Sequence, residues 1–129
     1  MVRRPMFRAD RYLKGLRPVK QVARQHRRAY RALIKRAALA ARDCGEVWTV
    51  RSSYRTYTEQ LALYNAYKAG KGNLAAAPGS SMHEHGRALD LGGPDNSDLG
   101  KSTKRRRAAE KHGLMFPLVS EPWHVEYRG

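Results

Sequence analysis

From Pro18 to about Asp43 the apolar residues Val19, Val22, Ala23, Tyr30, Leu33, Ile34, Ala37, Ala38 and Ala41 recur at steps of three and four. That period lines one face of a helix, so the segment predicts a long amphipathic helix over about 18–43. Its other face carries Lys20, Arg24, Arg27, Arg28, Arg31, Lys35 and Arg36, which read as a solvated face or as a docking surface. Glu46 to Arg51, EVWTVR, is rich in β-formers and bounded by Gly45 and the Ser52-Ser53 pair, which predicts a strand. Thr58 is the expected N-cap of a second helix that turns Leu61, Tyr64, Ala66 and Tyr67 inward and ends near Gly70 and Gly72.

The Gly, Pro and Ser of KGNLAAAPGSS, residues 71–81, mark a loop. Arg87 to Leu91 reads as a second strand, Ser102 to His112 as a third helix with a basic start at Lys104 to Arg107, and the alternating WHVEY of 123–127 as a final strand. These elements predict an α+β fold: a small, mostly antiparallel sheet with helices packed on one side.

A chain of 129 residues without internal repeat or linker is expected to form one domain over 1–129. Hydrophobic residues at 41% and charged ones at 29% leave enough apolar surface for a core and exclude a disordered class. Twenty-six Lys and Arg against eleven Asp and Glu give a net charge of +15, so an anionic partner is expected: nucleic acid, lipid or a cell-wall polymer. The single cysteine, Cys44, excludes an internal disulfide and reads as a small, buried apolar side chain. The N-terminal segment MVRRPMFRADRYLKG has positive charge but no apolar run behind it, so no export signal is expected. No stretch approaches the ~20 apolar residues needed to span a bilayer, so membrane insertion is not expected.

Two segments carry candidate chemistry, SMHEHGRALD at 81–90 and EPWHVEY at 121–127. A catalytic zinc takes three ligands from His, Asp or Glu and leaves a position open for water. His83, Asp90 and His124 can supply the three: His83 ends a loop, Gly86 permits a tight turn, and Asp90 projects from the following strand. His85 competes with His83, and falls on the opposite side if the local backbone is extended. Glu121, three residues before His124 across the rigid Pro122, stands where a general base belongs, and Glu126 competes for that role. Arg55 is the candidate for stabilising charge that develops on a carbonyl oxygen.

In ordered blocks these residues resemble the zinc D-alanyl-D-alanine carboxypeptidases and dipeptidases together with the phage L-alanyl-D-glutamate endopeptidases. Ser53-Tyr54-Arg55 with Gln60 is similar to the first family block. Pro78-Gly79, Ser81-x-His83, Gly86, Ala88 and Asp90 resemble the second, with seven identities over thirteen positions, and Glu121-x-Trp123-His124 resembles the third. Thr56, where Ser is frequent, and Ala77, where a second Pro is common, depart from the pattern without touching the metal set. The resemblance covers about 45–128 and leaves the basic N-terminal helix outside it.

The resemblance implies one zinc ion held by His83, Asp90 and His124, with Glu121 as catalytic acid and base and Arg55 on the substrate and its oxyanion. Ser81, Gln60 and Tyr54 are implied in substrate binding. It further implies hydrolysis of peptide bonds in bacterial peptidoglycan. Without an export signal, a phage endolysin of the L-alanyl-D-glutamate endopeptidase type is expected, made in the cytoplasm and reaching the wall after release. D-alanyl-D-alanine carboxypeptidase is the alternative, and a non-catalytic zinc-containing binding domain a further one. The +15 charge then serves contact with anionic wall polymers, and no specific nucleic acid is expected.

Overall fold

The structure is a computed structural model that describes residues 7–129; residues 1–6, the start of the basic N-terminal segment, lie outside the described part. Four strands, β1 (Leu13–Lys14), β2 (Trp48–Ser52), β3 (Ala88–Gly92) and β4 (His124–Glu126), form one sheet in the order β1-β2-β3-β4. β1 runs parallel to β2, and the β2–β3 and β3–β4 pairs are antiparallel. The helices are α1 (Arg27–Asp43), α2 (Tyr57–Lys68) and α3 (Thr103–Lys111). The fold is thus the expected α+β arrangement around a mostly antiparallel sheet, and no described helix is long and apolar enough to cross a membrane.

The first helix is shorter than its apolar period suggests. Val22 and Ala23 are extended (ψ 138° and 141°), so 18–26 forms two short 3-10 turns before α1 begins at Arg27. Val22 is 1% exposed, and its carbonyl accepts from Arg27 Nε at 2.9 Å. Side-chain burial and a guanidinium donor therefore replace the helical hydrogen bonds that this stretch forgoes.

α2 is capped by Thr56, not by Thr58. Thr56 Oγ1 accepts the Glu59 N–H at 3.1 Å while the Glu59 carboxylate accepts the Thr56 N–H at 2.9 Å. Thr58 is followed three residues later by Leu61, which has no carboxylate to reciprocate. The inward face expected for α2 is also corrected: Leu61 and Tyr67 are exposed, Tyr64 and Ala66 are half-buried, and Gln60 is the buried residue of this helix.

The core lies between the sheet and α1, where Trp48, Leu89, Leu91 and Val125 meet Tyr30, Leu33, Ala37 and Ala41. All eight are buried and α3 adds Ala109. Two core side chains keep polar partners: Tyr30 Oη donates to the Arg17 carbonyl at 2.7 Å, and Trp48 Nε1 donates to Glu46 Oε1 at 3.0 Å. Because strand residues alternate, Leu89, Leu91 and Val125 face this core, and Asp90, His124 and Glu126 face the opposite side of the sheet.

Candidate metal centre

Asp90 and His124 are register partners in the β3–β4 ladder, so their side chains leave the same sheet face side by side. The third residue, His83, sits in a 3-10 turn, Met82–His85, set by a second capping box. Ser81 Oγ accepts the His83 N–H at 3.3 Å, and the buried Glu84 carboxylate accepts the Gly79 N–H at 2.7 Å and the Ser81 N–H at 3.4 Å. Gly86 then reverses the chain into β3 at φ 68°, and a Cβ there would lie 3.0 Å from the His26 carbonyl oxygen and 3.2 Å from Tyr30 Cβ. Glycine satisfies both the left-handed backbone and this close approach to α1.

One ligand atom from each of His83, Asp90 and His124 lies within 4.8 Å of the others. His83 Nε2 is 3.2 Å, and His124 Nδ1 3.1 Å, from Asp90 Oδ1. The remaining ring nitrogens determine which electron pairs face inward. His83 Nδ1 donates to the Ser53 carbonyl at 2.7 Å, and His124 Nε2 donates to Glu126 Oε2 at 2.7 Å. With those protons placed, the neutral imidazoles turn lone pairs toward the aspartate carboxylate. Three electron-pair donors converging on one point repel one another unless a cation sits among them, so the donor set fits a divalent metal.

A proton on either inner nitrogen meets the same pull toward positive charge, and the pKa directions of Asp90 and His124 reflect such protonated contacts. Burial acts to raise the Asp90 pKa, but hydrogen bonds from His124 and His83 outweigh it and hold the carboxyl well below its ordinary range. Burial acts to lower the His124 pKa, and the carboxylates of Asp90 and Glu126 outweigh it in the upward direction. Glu126 is 5% exposed, and its Oε1 accepts from Arg128 Nη2 at 2.6 Å and Nε at 2.9 Å. Against burial, His124 and Arg128 keep its pKa low. Glu126, weighed in the sequence as a candidate base, is thus committed to His124 and Arg128.

Arg55 lies at the rim of the triad, with Nη2 3.4 Å from Asp90 Oδ2. It is braced by Ser52 Oγ at 3.1 Å and Gln60 Oε1 at 3.2 Å, and Gln60 is tied by Nε2 to the Ala76 carbonyl at 2.9 Å. Glu121 and His124 belong to one turn in which the His124 N–H donates to the Glu121 carbonyl at 3.0 Å. The half-buried Glu121 carboxylate has no hydrogen bond to protein among the described residues.

The other candidates occupy different places. Ser81 is a buried cap. Tyr54 is 9% exposed, with the Arg17 guanidinium 5.6 Å over its ring and His26 beside it. His85 turns away from the triad, with Nε2 3.2 Å from the Gly79 carbonyl oxygen and its ring edge-on to His26. A 3-10 turn, not an extended backbone, separates it from His83. Sequence reasoning missed Glu84 and Arg128, although Ser81-x-x-Glu84 has capping-box spacing and Arg128 follows His124 and Glu126 at steps of two.

A family model described as VanY, D-alanyl-D-alanine carboxypeptidase, matches residues 20–129. No curated protein matches the chain by sequence. Among solved structures, VanYB in complex with D-alanine-D-alanine is 26% identical, with 79% of this chain and 70% of that chain covered at a TM-score of 0.55. A mutant of the D,D-pentapeptidase VanY from a VanB-type resistance cassette, in complex with Zn(II), is 25% identical, with 79% and 71% covered at 0.52. The LD-carboxypeptidase LdcB shares the fold at 23% identity and a TM-score of 0.58; this chain is covered to 84% but spans 59% of LdcB, under two thirds of its length. The family match also takes in α1, which the sequence motifs had left outside. From the turns before that helix through β4, the chain belongs to the VanY D-alanyl-D-alanine carboxypeptidase family.

Proposed function

We propose that the protein is a zinc-dependent peptidase that hydrolyses peptide bonds of bacterial peptidoglycan, with His83, Asp90 and His124 as the metal ligands. The observation that carries this reading is the convergence of the three ligand atoms within 4.8 Å, each imidazole having its second nitrogen already engaged. Relatives in the same family point to zinc and to D-Ala-D-Ala: one VanY is described with Zn(II) and VanYB with D-alanine-D-alanine.

When bound, zinc supplies Lewis acidity and brings the pKa of water close to neutrality. The Glu121 carboxylate, unengaged by the protein, accepts the proton of the attacking water and returns it to the departing amine. The Arg55 guanidinium, braced by Ser52 and Gln60, stabilises negative charge gathering on the former carbonyl oxygen. Ser81 and Gln60 hold His83 and Arg55 in place, and Tyr54 walls the cleft beside Arg55. Ser52, Ser53, Tyr54, Arg55, Ala62 and Leu63 line a cavity of about 530 Å³ that offers room for a peptide next to Arg55.

Two scissile bonds compete within this chemistry. The family description and the likeness to VanYB favour removal of a terminal D-alanine. The L-alanyl-D-glutamate endopeptidase of a phage endolysin is the second reading, favoured by the motif resemblance and by a charge of +15 that suits the carboxylates and phosphates of a wall. Mass spectrometry of products from defined muropeptides tests both. Loss of one alanine assigns a carboxypeptidase, a split between L-Ala and D-Glu assigns the endopeptidase, and intact muropeptides with zinc bound leave a non-catalytic binding domain.

A further inference from the structure

The charge of the chain is unevenly distributed. On α1, Arg28, Arg31, Lys35 and Arg42 are exposed and fall within an arc of about 60° at 100° per residue, along roughly 21 Å of axis. On α3, Lys104, Arg107 and Lys111 repeat the same spacing and are exposed too. The two helices pack together, with Arg36 Nη1 donating to the His112 carbonyl at 3.0 Å and His112 Nε2 2.7 Å from Asp43 Oδ2.

The acidic residues are committed elsewhere. Asp10 pairs with Arg8, Glu59 with Arg17, Asp98 with Arg51 and Lys101, Glu46 with Arg105, Glu110 with Arg106, and Glu126 with Arg128 and His124. Glu84 caps a turn, Asp95 accepts from Ser97, Asp90 belongs to the candidate metal centre, and the half-buried Glu121 has no Lys or Arg partner among the described residues. Asp43, at the end of α1, meets His112 and, at 3.8 Å, Lys111. Among the described residues, Arg28, Arg31, Lys35, Lys104 and Arg107 have no carboxylate partner.

This arrangement works against the helices that carry it. Like charges three and four residues apart repel, and α1 opens with two arginines and no acidic residue in its first turn, where the helix dipole disfavours cations. A multivalent anion laid across both stripes removes that repulsion. Four of the seven cations are arginines, whose planar fork matches phosphate oxygens two at a time. Neither helix exposes an aromatic side chain, since Tyr30, the one aromatic of α1, is fully buried. The Phe7 ring beside the α1 stripe is covered by the Arg42 guanidinium at 5.5 Å, so the stripes offer no row of open rings for stacking nucleic-acid bases.

We infer that the outer faces of α1 and α3 form a docking surface for a phosphate-bearing polymer of the bacterial wall. The surface lies behind the sheet, away from the face that presents Asp90 and His124, so polymer can be held there while a peptide occupies the cleft. The choice of a wall polymer rests on the peptidoglycan reading; the binding of a polyphosphate does not.

The test is co-sedimentation with purified walls, intact or chemically stripped of phosphate polymer, across a salt series. Arg28→Gln/Arg31→Gln/Lys35→Gln and, separately, Lys104→Gln/Arg107→Gln/Lys111→Gln are compared with wild type. Each triple variant should bind intact walls at least about tenfold more weakly with a shallower salt slope, and stripping the polymer should weaken wild type comparably. Cleavage of small soluble muropeptides should stay at the wild-type rate, which also reports an intact fold. Undiminished wall binding by both variants, or by wild type on stripped walls, overturns the inference. So does duplex DNA that displaces the protein from walls at lower phosphate concentration than free wall polymer does. If wild type binds the polymer but cuts no muropeptide, the peptidase reading fails and the docking surface stands.

Discussion

Asp90 and His124 face each other across the β3–β4 ladder, and Asp90 Oδ1 lies 3.1 Å from His124 Nδ1, so strand register brings two candidate ligands side by side and Glu126 orients the imidazole. Ligands carried on paired strands are placed more rigidly than ligands on loops. The third, His83, needs its own local scaffold, which Ser81, Glu84 and Gly86 provide.

Replacing a ligand should release the metal. Asp90→Asn and His124→Ala are each expected to reduce bound zinc from one per chain to a small fraction, read by elemental analysis after gel filtration. Chelator-treated wild type should lose hydrolysis and regain it with added zinc. Full activity in metal-free protein would end the proposed mechanism.

Glu121→Ala should leave zinc stoichiometry unchanged and lower turnover of peptidoglycan fragments by about 10²–10⁴, the usual contribution of a positioned acid–base group. Wild-type turnover in this variant would move the proton transfer to another residue.

Glu126 acts on the metal through His124. Its carboxylate holds the Nε2 proton and so keeps the Nδ1 lone pair on the inner side. Glu126→Gln is expected to weaken zinc binding by about 10–100-fold in a competition titration. Arg128→Ala should produce a smaller loss, since it removes only the clamp on Glu126.

The Glu46–Arg105 pair should make stability depend on pH. Two hydrogen bonds from Arg105, at 2.7 and 2.9 Å, bring the Glu46 pKa from 4.5 to about 2. A carboxyl with a lowered pKa contributes stability that is complete above its unfolded value and disappears as pH falls toward the folded one. After screening of a pair that is partly open to solvent, the contribution is about 1 kcal/mol. Urea unfolding should therefore separate wild type from Glu46→Gln at pH 7 and bring them together between pH 4 and pH 2.

Leu89→Ala should cost about 2–5 kcal/mol in the same assay, because Leu89 is fully buried between the sheet and α1. Its neighbour Asp90 stands on the other sheet face, so the variant should keep its zinc while melting earlier.

The sequence by itself determined the elements and the donor set. Strand alternation in WHVEY put His124 and Val125 on opposite faces, Gly86 marked the turn between His83 and Asp90, and the order of the motif blocks named the residues that converge. Other features depended on distant partners. The helix from Pro18 broke at Val22 because burial and the Arg27 side chain compensated the lost backbone bonds, which no periodicity records. The exposure of Leu61 and Tyr67 followed from the attachment of α2 through Gln60. The two-residue β1 pairs with Trp48 and Thr49, more than thirty positions away, and is too short to leave a pattern. The contacts of Glu126 with His124 and Arg128, each two residues away, follow strand alternation already visible in the chain. The tertiary structure adds that both partners engage its carboxylate while that of Glu121 has no protein hydrogen bond among the described residues, because engagement depends on how the side chains pack.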